Sequence, residues 1–134
     1  MSRSSAPEII GLGEALLVTC RLVRDLRSGG VSLSEPSENA VLCADFVVAL
    51  PGWVARFGPL SDGKQFWLYC EPGGNPDPAP AGQVLFRLPP GRYMIDTFDL
   101  GSGDCVSRES AVASPLVAGL TFTGHPVLLW LRPC

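Results

Sequence analysis

The chain has 134 residues, which is enough for one ordinary domain with a hydrophobic core, and its net charge is −3. Hydrophobic residues make up 46% of the chain. Charged residues make up 17%, which is below the roughly 25% usual for soluble domains. Either the hydrophobic core is large or a partner covers apolar surface. Lys64 is the only lysine and the arginines are scattered apart from Arg21, Arg24 and Arg27, which argues against a nucleic-acid partner because phosphate binding needs clustered cations.

The N-terminal apolar run Ile9–Val18 is too short to span a bilayer and is interrupted by Gly11, Gly13 and Glu14. No small-residue cleavage site follows it, so it is not a convincing signal peptide. We therefore expect no membrane partner and a cytoplasmic protein as the sequence is written, or a piece of a larger one.

The first predicted element is a helix over residues 7–28. Ser5 and Glu8 have capping-box spacing, Pro7 fits the first turn, and Gly29-Gly30 is typical of a helix end. One apolar stripe recurs every three or four residues: Ile9, Leu12, Leu16, Cys20, Val23 and Leu26. Gly11 and Gly13 weaken the helix by about 1 kcal/mol each, so it needs something to pack against.

After Ser37 the hydrophobic period becomes that of strands. The predicted strands are Ala40–Ala44, Phe46–Leu50, Trp53–Phe57, Gln65–Glu71, Gln83–Leu88, Arg92–Asp99, Cys105–Ala111, Leu116–Phe122 and Val127–Leu131. Turn residues separate them, and residues 73–80 read as a proline-rich surface loop. Short strands with no intervening helix predict an antiparallel sandwich or barrel over residues 38–134, within a single domain of residues 1–134.

Alternation predicts two apolar faces for the strand Gln65–Glu71. Phe66, Leu68 and Cys70 share one face, whereas Trp67 and Tyr69 share the other with the polar strand ends. The strand Val127–Leu131 is apolar on both sides as well. Sheets covered on both faces have such strands, and the simplest cover for the outer face is the N-terminal helix.

The cysteines are Cys20, Cys43, Cys70, Cys105 and Cys134, which are widely spaced and form no C-x-x-C pair. With His125 as the only histidine, this pattern predicts no metal site. We interpret the cysteines as reduced thiols, mostly in the core, with Cys134 the most exposed.

Candidates for catalysis are few. His125 lies between Gly124 and Pro126, where a turn residue is the better interpretation than a general base. A carboxylate pair for acid–base chemistry could come from Asp96, Asp99, Asp104 and Glu109, although Asp99 and Asp104 bracket a turn and favour a structural role. The glycine motifs at residues 11–13 and 101–103 lack the context of nucleotide loops, so no cofactor is predicted.

The aromatic residues are the best basis for a functional hypothesis. They are Trp53, Trp67, Tyr69, Tyr93, Phe98 and Trp130. Rings on a sheet can stack on sugars or anchor a protein partner, whereas the alternative is packing in the core. Trp67 and Tyr69 are the best candidates for an outward pair, with Trp53 as a third contact residue, unless the helix covers them.

Three segments of the C-terminal half, Leu88–Tyr93, Asp99–Gly103 and Gly124–Arg132, follow the course P-x-G-x-Y, D-x-x-x-G, then P-V-L-L-x-L. Ser61–Tyr69 fits the strand pair that precedes them. This course resembles the β-sandwich that follows the catalytic barrel in many glycoside hydrolases, and the helix Glu8–Leu26 resembles the last barrel helix. In that family the catalytic carboxylates lie in the barrel, so the resemblance implies no catalytic residue here. It implies a sandwich that packs on its neighbour and in a few cases binds carbohydrate.

These inferences predict a mainly β protein, an antiparallel Ig-like β-sandwich with one N-terminal α-helix packed on it. We expect a non-catalytic accessory module whose partner is carbohydrate or a catalytic glycosidase domain. The first alternative is a scaffold that self-associates as a homo-oligomer, because low charge and surplus aromatic residues favour an interface. The second is a small hydrolase that uses an aspartate pair.

Overall fold

The computed structural model describes residues 8–25, 36, 39–51, 53–73, 81–101, 103–112, 116–121 and 125–133. Within these ranges one α-helix, α1 (Leu12–Asp25), accompanies strands β1 to β10. The strands are β1 Glu8–Ile9, β2 Val41–Leu42, β3 Val47–Ala49, β4 Val54–Ser61, β5 Phe66–Pro72, β6 Ala81–Phe86, β7 Arg92–Asp99, β8 Asp104–Val112, β9 Leu116–Thr121 and β10 Val127–Pro133, with a 3₁₀ turn at Ala44–Phe46 before β3. The predicted mainly β fold with one helix is confirmed.

The described strands form two sheets. The larger, sheet A, has the order β1-β4-β5-β10-β7-β8, with β2 also paired to β4, and the smaller, sheet B, has the order β3-β6-β9. All pairs are antiparallel except β1 with β4. The connections from β4 to β5 and from β7 to β8 are hairpins within sheet A. The chain changes sheet between β2 and β3, β3 and β4, β5 and β6, β6 and β7, β8 and β9, and β9 and β10.

Sheet A separates two apolar cores. The inter-sheet core contains Phe66, Leu68 and Cys70 of β5 with residues of sheet B such as Val84 and Phe86. The helix-side core contains Trp67, Tyr69, Leu128 and Trp130 of sheet A beneath residues of α1. The predicted alternation of β5, the double-faced last strand and the helical cover are therefore confirmed.

The predicted helix over residues 7–28 is wrong at its N-terminal end. Glu8 and Ile9 pair in parallel with Arg56 and Phe57 of β4, and the Ile10 N–H donates to the Phe57 carbonyl at 3.0 Å. Gly11 has low helix propensity, so hydrogen bonds to the β4 edge prevail there, and the helix begins at Leu12. Ser5 and Gly29-Gly30, which were expected to cap the helix, lie outside the described residues.

The buried face of α1 also differs from the predicted stripe. Ala15, Thr19 and Val23 are buried, whereas Ile9 and Leu12 are exposed and Leu16 and Cys20 are half-buried. Small side chains face the sheet because α1 comes close to β4: a Cβ added at Gly58 would lie 3.3 Å from the Ala15 Cβ. The buried face is therefore displaced from the predicted stripe but overlaps it, because Val23 is buried and Leu16 packs against the helix-side core. Leu26 of the stripe lies outside the described residues.

Turn chemistry explains several strand ends. The Asp62 carboxylate accepts the Lys64 and Gln65 N–H groups at 2.9 and 2.8 Å, and Gly63 has a φ of +95°, which closes the β4–β5 hairpin. The Tyr93 hydroxyl donates to the Pro89 carbonyl at 2.9 Å, the arrangement of a tyrosine corner in Greek-key sandwiches. The Ig-like layout nevertheless stays a prediction, since β10 lies between β5 and β7 in sheet A.

Among the described residues, no helix has both the length and the apolarity that crossing a bilayer requires. The proposed loop at residues 73–80 lies outside the described residues except for Gly73, and so do Arg27, Ser102 and Cys134.

Candidate functional site

The predicted contact residues do not share one surface. Trp67 and Tyr69 lie on β5 beneath α1, with 1% and 7% of their surfaces exposed. Trp53 is half-buried on the opposite side of sheet A, where it packs against the inter-sheet core. The helix thus covers the pair expected to face outward, and a sugar ring would reach Trp67 or Tyr69 only after α1 moved.

The polar end of Tyr69 joins a network that ties α1 to sheet A. The Tyr69 hydroxyl donates to Glu71 at 2.8 Å, and Arg56 bridges Glu71 at 3.3 Å and Glu14 of α1 at 2.8 Å. Burial, reinforced by the hydrogen bond to Glu71, raises the pKa of Tyr69 above its ordinary value. The hydrogen bond that Arg56 donates to Glu14 raises the pKa of Arg56, so the guanidinium stays charged and connects α1 to sheet A.

A second network lies at the far end of the same face of sheet A. The Asp96 side chain is 0% exposed in the centre of β7, and its two oxygens accept from Arg108 Nε at 2.8 Å and Arg132 Nη1 at 2.6 Å. The Arg132 guanidinium lies 3.9 Å from the centre of the Trp130 ring, and the Trp130 N–H donates to Gln65 at 2.7 Å. The hydrogen bond to Asp96 raises the pKa of Arg108. A buried carboxylate is tolerated here because two cations satisfy both of its oxygens.

The other predicted carboxylates do not converge with Asp96. Asp99 accepts the Gly101 N–H at 2.9 Å, the local turn contact expected of it, and its neighbour across the hairpin is Asp104. His125 Nδ1 lies 3.8 Å from Asp99 at an exposed position. Glu109 pairs with Ile95, whose side chain enters the inter-sheet core, so Glu109 points away from Asp96. Asp99, Asp104 and His125 thus lie together at the turn end of the β7–β8 hairpin, away from Asp96.

An apolar groove opens beside β3. It has a volume of about 230 Å³ and is lined by Val47–Leu50 and Phe57. The side chains of these described lining residues are all apolar, so polar contacts to a ligand there would come from the backbone.

The cysteines are free thiols at all four described positions, Cys20, Cys43, Cys70 and Cys105. Cys70 is in the inter-sheet core, and burial raises its pKa, which keeps the thiol protonated and unreactive. No group of three or more His, Cys, Asp or Glu side chains within the described ranges could hold a metal ion.

Sequence reasoning named Asp96 but missed its two arginine partners. The available signal was a charged residue in the middle of the strand Arg92–Asp99, whose neighbours Ile95 and Phe98 are core residues. Such a residue requires an opposite charge on an adjacent strand. The sequence does not show that β10 lies beside β7, and Arg132 was outside the predicted last strand, so Arg132 could not be named in advance. Arg108 lies across the β7–β8 hairpin, where a register shift between Thr97 and Phe98 obscures which residue faces Asp96.

Comparison with known proteins gives a weak structural likeness. No family model matches the chain. No curated protein matches it either. Among solved structures, the chain is similar to one titled "Glycoside hydrolase", with 9% sequence identity and a TM-score of 0.49 over 73% of this chain. This chain spans 22% of that one. The family resemblance inferred from the turns and strand ends stays a prediction.

Proposed function

We propose that this chain is a non-catalytic β-sandwich module that works by docking on another protein domain. One observation supports this most directly: the aromatic rings that could have stacked on a ligand are used inside the two cores. Trp67, Phe98 and Trp130 are buried in the helix-side core, and Tyr93 is buried in the inter-sheet core. Carbohydrate stacking needs an accessible ring face, whereas protein docking can use aliphatic and arginine side chains.

The surroundings of the carboxylates support the non-catalytic part. Asp96 is neutralised by two arginines and Glu71 is bound by Arg56 and Tyr69, so neither is positioned as a free acid or base. The partner we expect is a hydrolase domain, because the turn and strand-end motifs resemble accessory sandwiches of glycoside hydrolases.

Two assays on the purified protein test this proposal. We expect no turnover of a panel of nitrophenyl glycosides and esters, and no retention by a panel of neutral and acidic polysaccharides. Turnover abolished by Asp96→Asn would replace the proposal with the hydrolase hypothesis. Polysaccharide binding abolished by Trp53→Ala, with the fold intact by circular dichroism, would replace it with carbohydrate binding.

A second candidate function is self-association through sheet B. β9 lies at an edge of this sheet in the described chain and carries no charged residue, although charged side chains normally protect such edges. Val117 of β9 and Val48 of β3, which lies on the other side of β6, are exposed. Sedimentation velocity over a wide concentration range tests this candidate. A dimer that Val117→Lys dissociates would favour it, and a monomer at the highest concentration would exclude it.

A further inference from the structure

The outer face of sheet A is only partly covered by α1. Among the described residues, the strongest contacts of α1 are with β2, β4 and β5, and Phe98 of β7 still lies in the helix-side core. Farther along β7, β8 and β10, Arg92 and Arg108 are exposed and Arg132 is half-buried. We call this region the arginine face, and it consists of Arg92, Met94, Asp96, Arg108, Ser110 and Arg132.

Charge distinguishes the arginine face from the rest of the protein. Three arginines and one aspartate leave it two positive charges, whereas the whole chain has a net charge of −3. Glu109 of β8 does not reduce this charge locally, because it points to the other side of the sheet with Ile95. The face therefore attracts anionic groups even though the protein as a whole repels them.

The two central guanidinium groups are held in fixed positions. Asp96 anchors one nitrogen atom of each, at 2.8 Å for Arg108 and 2.6 Å for Arg132, and Trp130 supports Arg132 from below at 3.9 Å. Neither guanidinium has a second hydrogen-bond acceptor among the described residues, although the group carries five N–H donors. Their side chains remain 47% and 27% exposed. Donors that are already ordered lose less conformational entropy when a carboxylate binds them.

The composition of the surrounding surface favours a protein over a small anion. Met94 is half-buried beside the guanidinium groups, and Val112 at the end of β8 is exposed. Arginine and methionine are enriched at protein interfaces, and arginine is one of the residues that contribute most to binding. A partner that presents carboxylates within an otherwise mixed surface matches both the charge and the apolar rim.

We propose that the arginine face docks an acidic surface of a partner protein, whose aspartate or glutamate carboxylates pair with Arg108 and Arg132. This inference rests on the proposed docking function and adds to it the position of the contact and the chemistry of the partner.

The test is an NMR titration of the ¹⁵N-labelled protein with hexaglutamate, which follows the arginine Nε–H signals. We expect saturable shifts of the Arg108 and Arg132 signals that weaken with added salt. Arg108→Gln and Arg132→Gln should each weaken binding on the order of fivefold to tenfold, because each removes one charge-assisted pair.

Arg87→Gln is the matched control, because Arg87 is exposed and lies next to sheet B. This substitution changes the net charge by the same amount as the other two. Equal weakening by this control, or shifts spread evenly over all arginines, would overturn the proposal. Arg108→Lys serves as a second variant if a glutamine variant unfolds, since it keeps the charge opposite Asp96 but loses the planar fork. It should also bind more weakly.

A parallel titration with polygalacturonate distinguishes the source of the carboxylates. Binding of polygalacturonate at Arg108 and Arg132 without binding of hexaglutamate would assign the site to an acidic carbohydrate and overturn the protein-partner proposal. If hexaglutamate does not bind at Arg108 and Arg132, the arginine face is not the docking site, and docking through another surface is still possible. The proposed docking function is contradicted by a different result, namely glycoside turnover or polysaccharide binding through Trp53.

Discussion

Asp96 has no exposed side-chain surface, and both of its oxygens depend on arginines from neighbouring strands. Asp96→Asn keeps the size of the side chain but removes its charge, and one of the two acceptor oxygens becomes a donor that faces a guanidinium. We expect this variant to lower the free energy of unfolding by about 1.5–3 kcal/mol, the usual contribution of a hydrogen bond to a charged group. Urea denaturation at neutral pH measures the change.

Asp45→Asn provides the control for this substitution, because Asp45 is exposed in the 3₁₀ turn before β3. It should change the free energy of unfolding by less than about 0.5 kcal/mol. Equal stability of the Asp96 and Asp45 variants would show that the arginine pair contributes nothing to folding.

Tyr69 should make stability depend on pH in the alkaline range. Its pKa is raised in the folded protein by burial first and then by the hydrogen bond to Glu71. Above pH 10 the unfolded chain releases the tyrosine proton while the folded protein keeps it, so the free energy of unfolding falls as pH rises. The stability of the wild type relative to Tyr69→Phe should therefore decrease by about 1 kcal/mol between pH 9 and pH 11.

Burial also raises the pKa values of Cys70 and Tyr93, in the same direction as that of Tyr69. They remain in Tyr69→Phe, so their contribution cancels in the comparison of the two proteins. Parallel pH profiles for the wild type and the variant would contradict the predicted coupling at Tyr69.

At the scale of elements, the contact between α1 and β4 depends on the lack of a side chain at Gly58. An added Cβ would lie 2.9 Å from Ile10 Cδ1 and 3.3 Å from Ala15 Cβ, and both residues are buried. Gly58→Ala should therefore push the helix from the sheet and lower the free energy of unfolding by about 1–3 kcal/mol, as overpacking does. Urea denaturation with tryptophan fluorescence detects this, because Trp67 lies beneath the helix.

Gly119→Ala is the matched control in β9, where an added Cβ would have no atom within 4 Å. This substitution should leave stability unchanged or raise it slightly, because alanine restricts the unfolded chain. A Gly58 variant as stable as the Gly119 variant would mean that the helix is not closely packed on β4.

The elements that the sequence predicted best are those whose signals are local. β7 was predicted with the bounds that it has, Arg92–Asp99, because Pro89-Pro90-Gly91 precedes it and a glycine turn follows it. The pairing of Glu8–Ile9 with β4 was missed, since a parallel partner distant in sequence leaves no local pattern. For the same reason the position of β10 between β5 and β7 was not predictable, although both of its apolar faces were.

For the candidate site too, local features were predicted from the sequence and contacts between distant segments were not. Alternation placed Trp67 and Tyr69 on the outer face of β5 and identified the helix as a possible cover. Whether the helix covers the rings depends on which helix face approaches the sheet, and Ala15 and Gly58 decide that through a contact between distant segments. Asp96 could be named but not interpreted, because its role depends on Arg108 and Arg132 from two different strands.

At the scale of the whole molecule, sheet A connects the two cores through alternate residues of the same strands. Leu128 and Leu129 are neighbours on β10, both 0% exposed, yet Leu128 is in the helix-side core and Leu129 is in the inter-sheet core. Loss of the helix would expose the buried helix-side residues on the same strands that form the sandwich, which destabilises both layers at once. The helix layer and the sandwich should therefore unfold together.

We expect Leu128→Ala and Leu129→Ala each to lower the free energy of unfolding by about 2–5 kcal/mol, with one transition in both far-ultraviolet circular dichroism and tryptophan fluorescence. Leu17→Ala is the control, since Leu17 lies on the helix with 66% of its surface exposed, and this substitution should change stability by less than about 0.5 kcal/mol.

If the helix of Leu128→Ala unfolded in a first transition and the sheets in a later one, the helix would be a cover that detaches independently of the sandwich. Trp67 and Tyr69 would then become accessible at little energetic cost, and carbohydrate contact through them would again be a competing function.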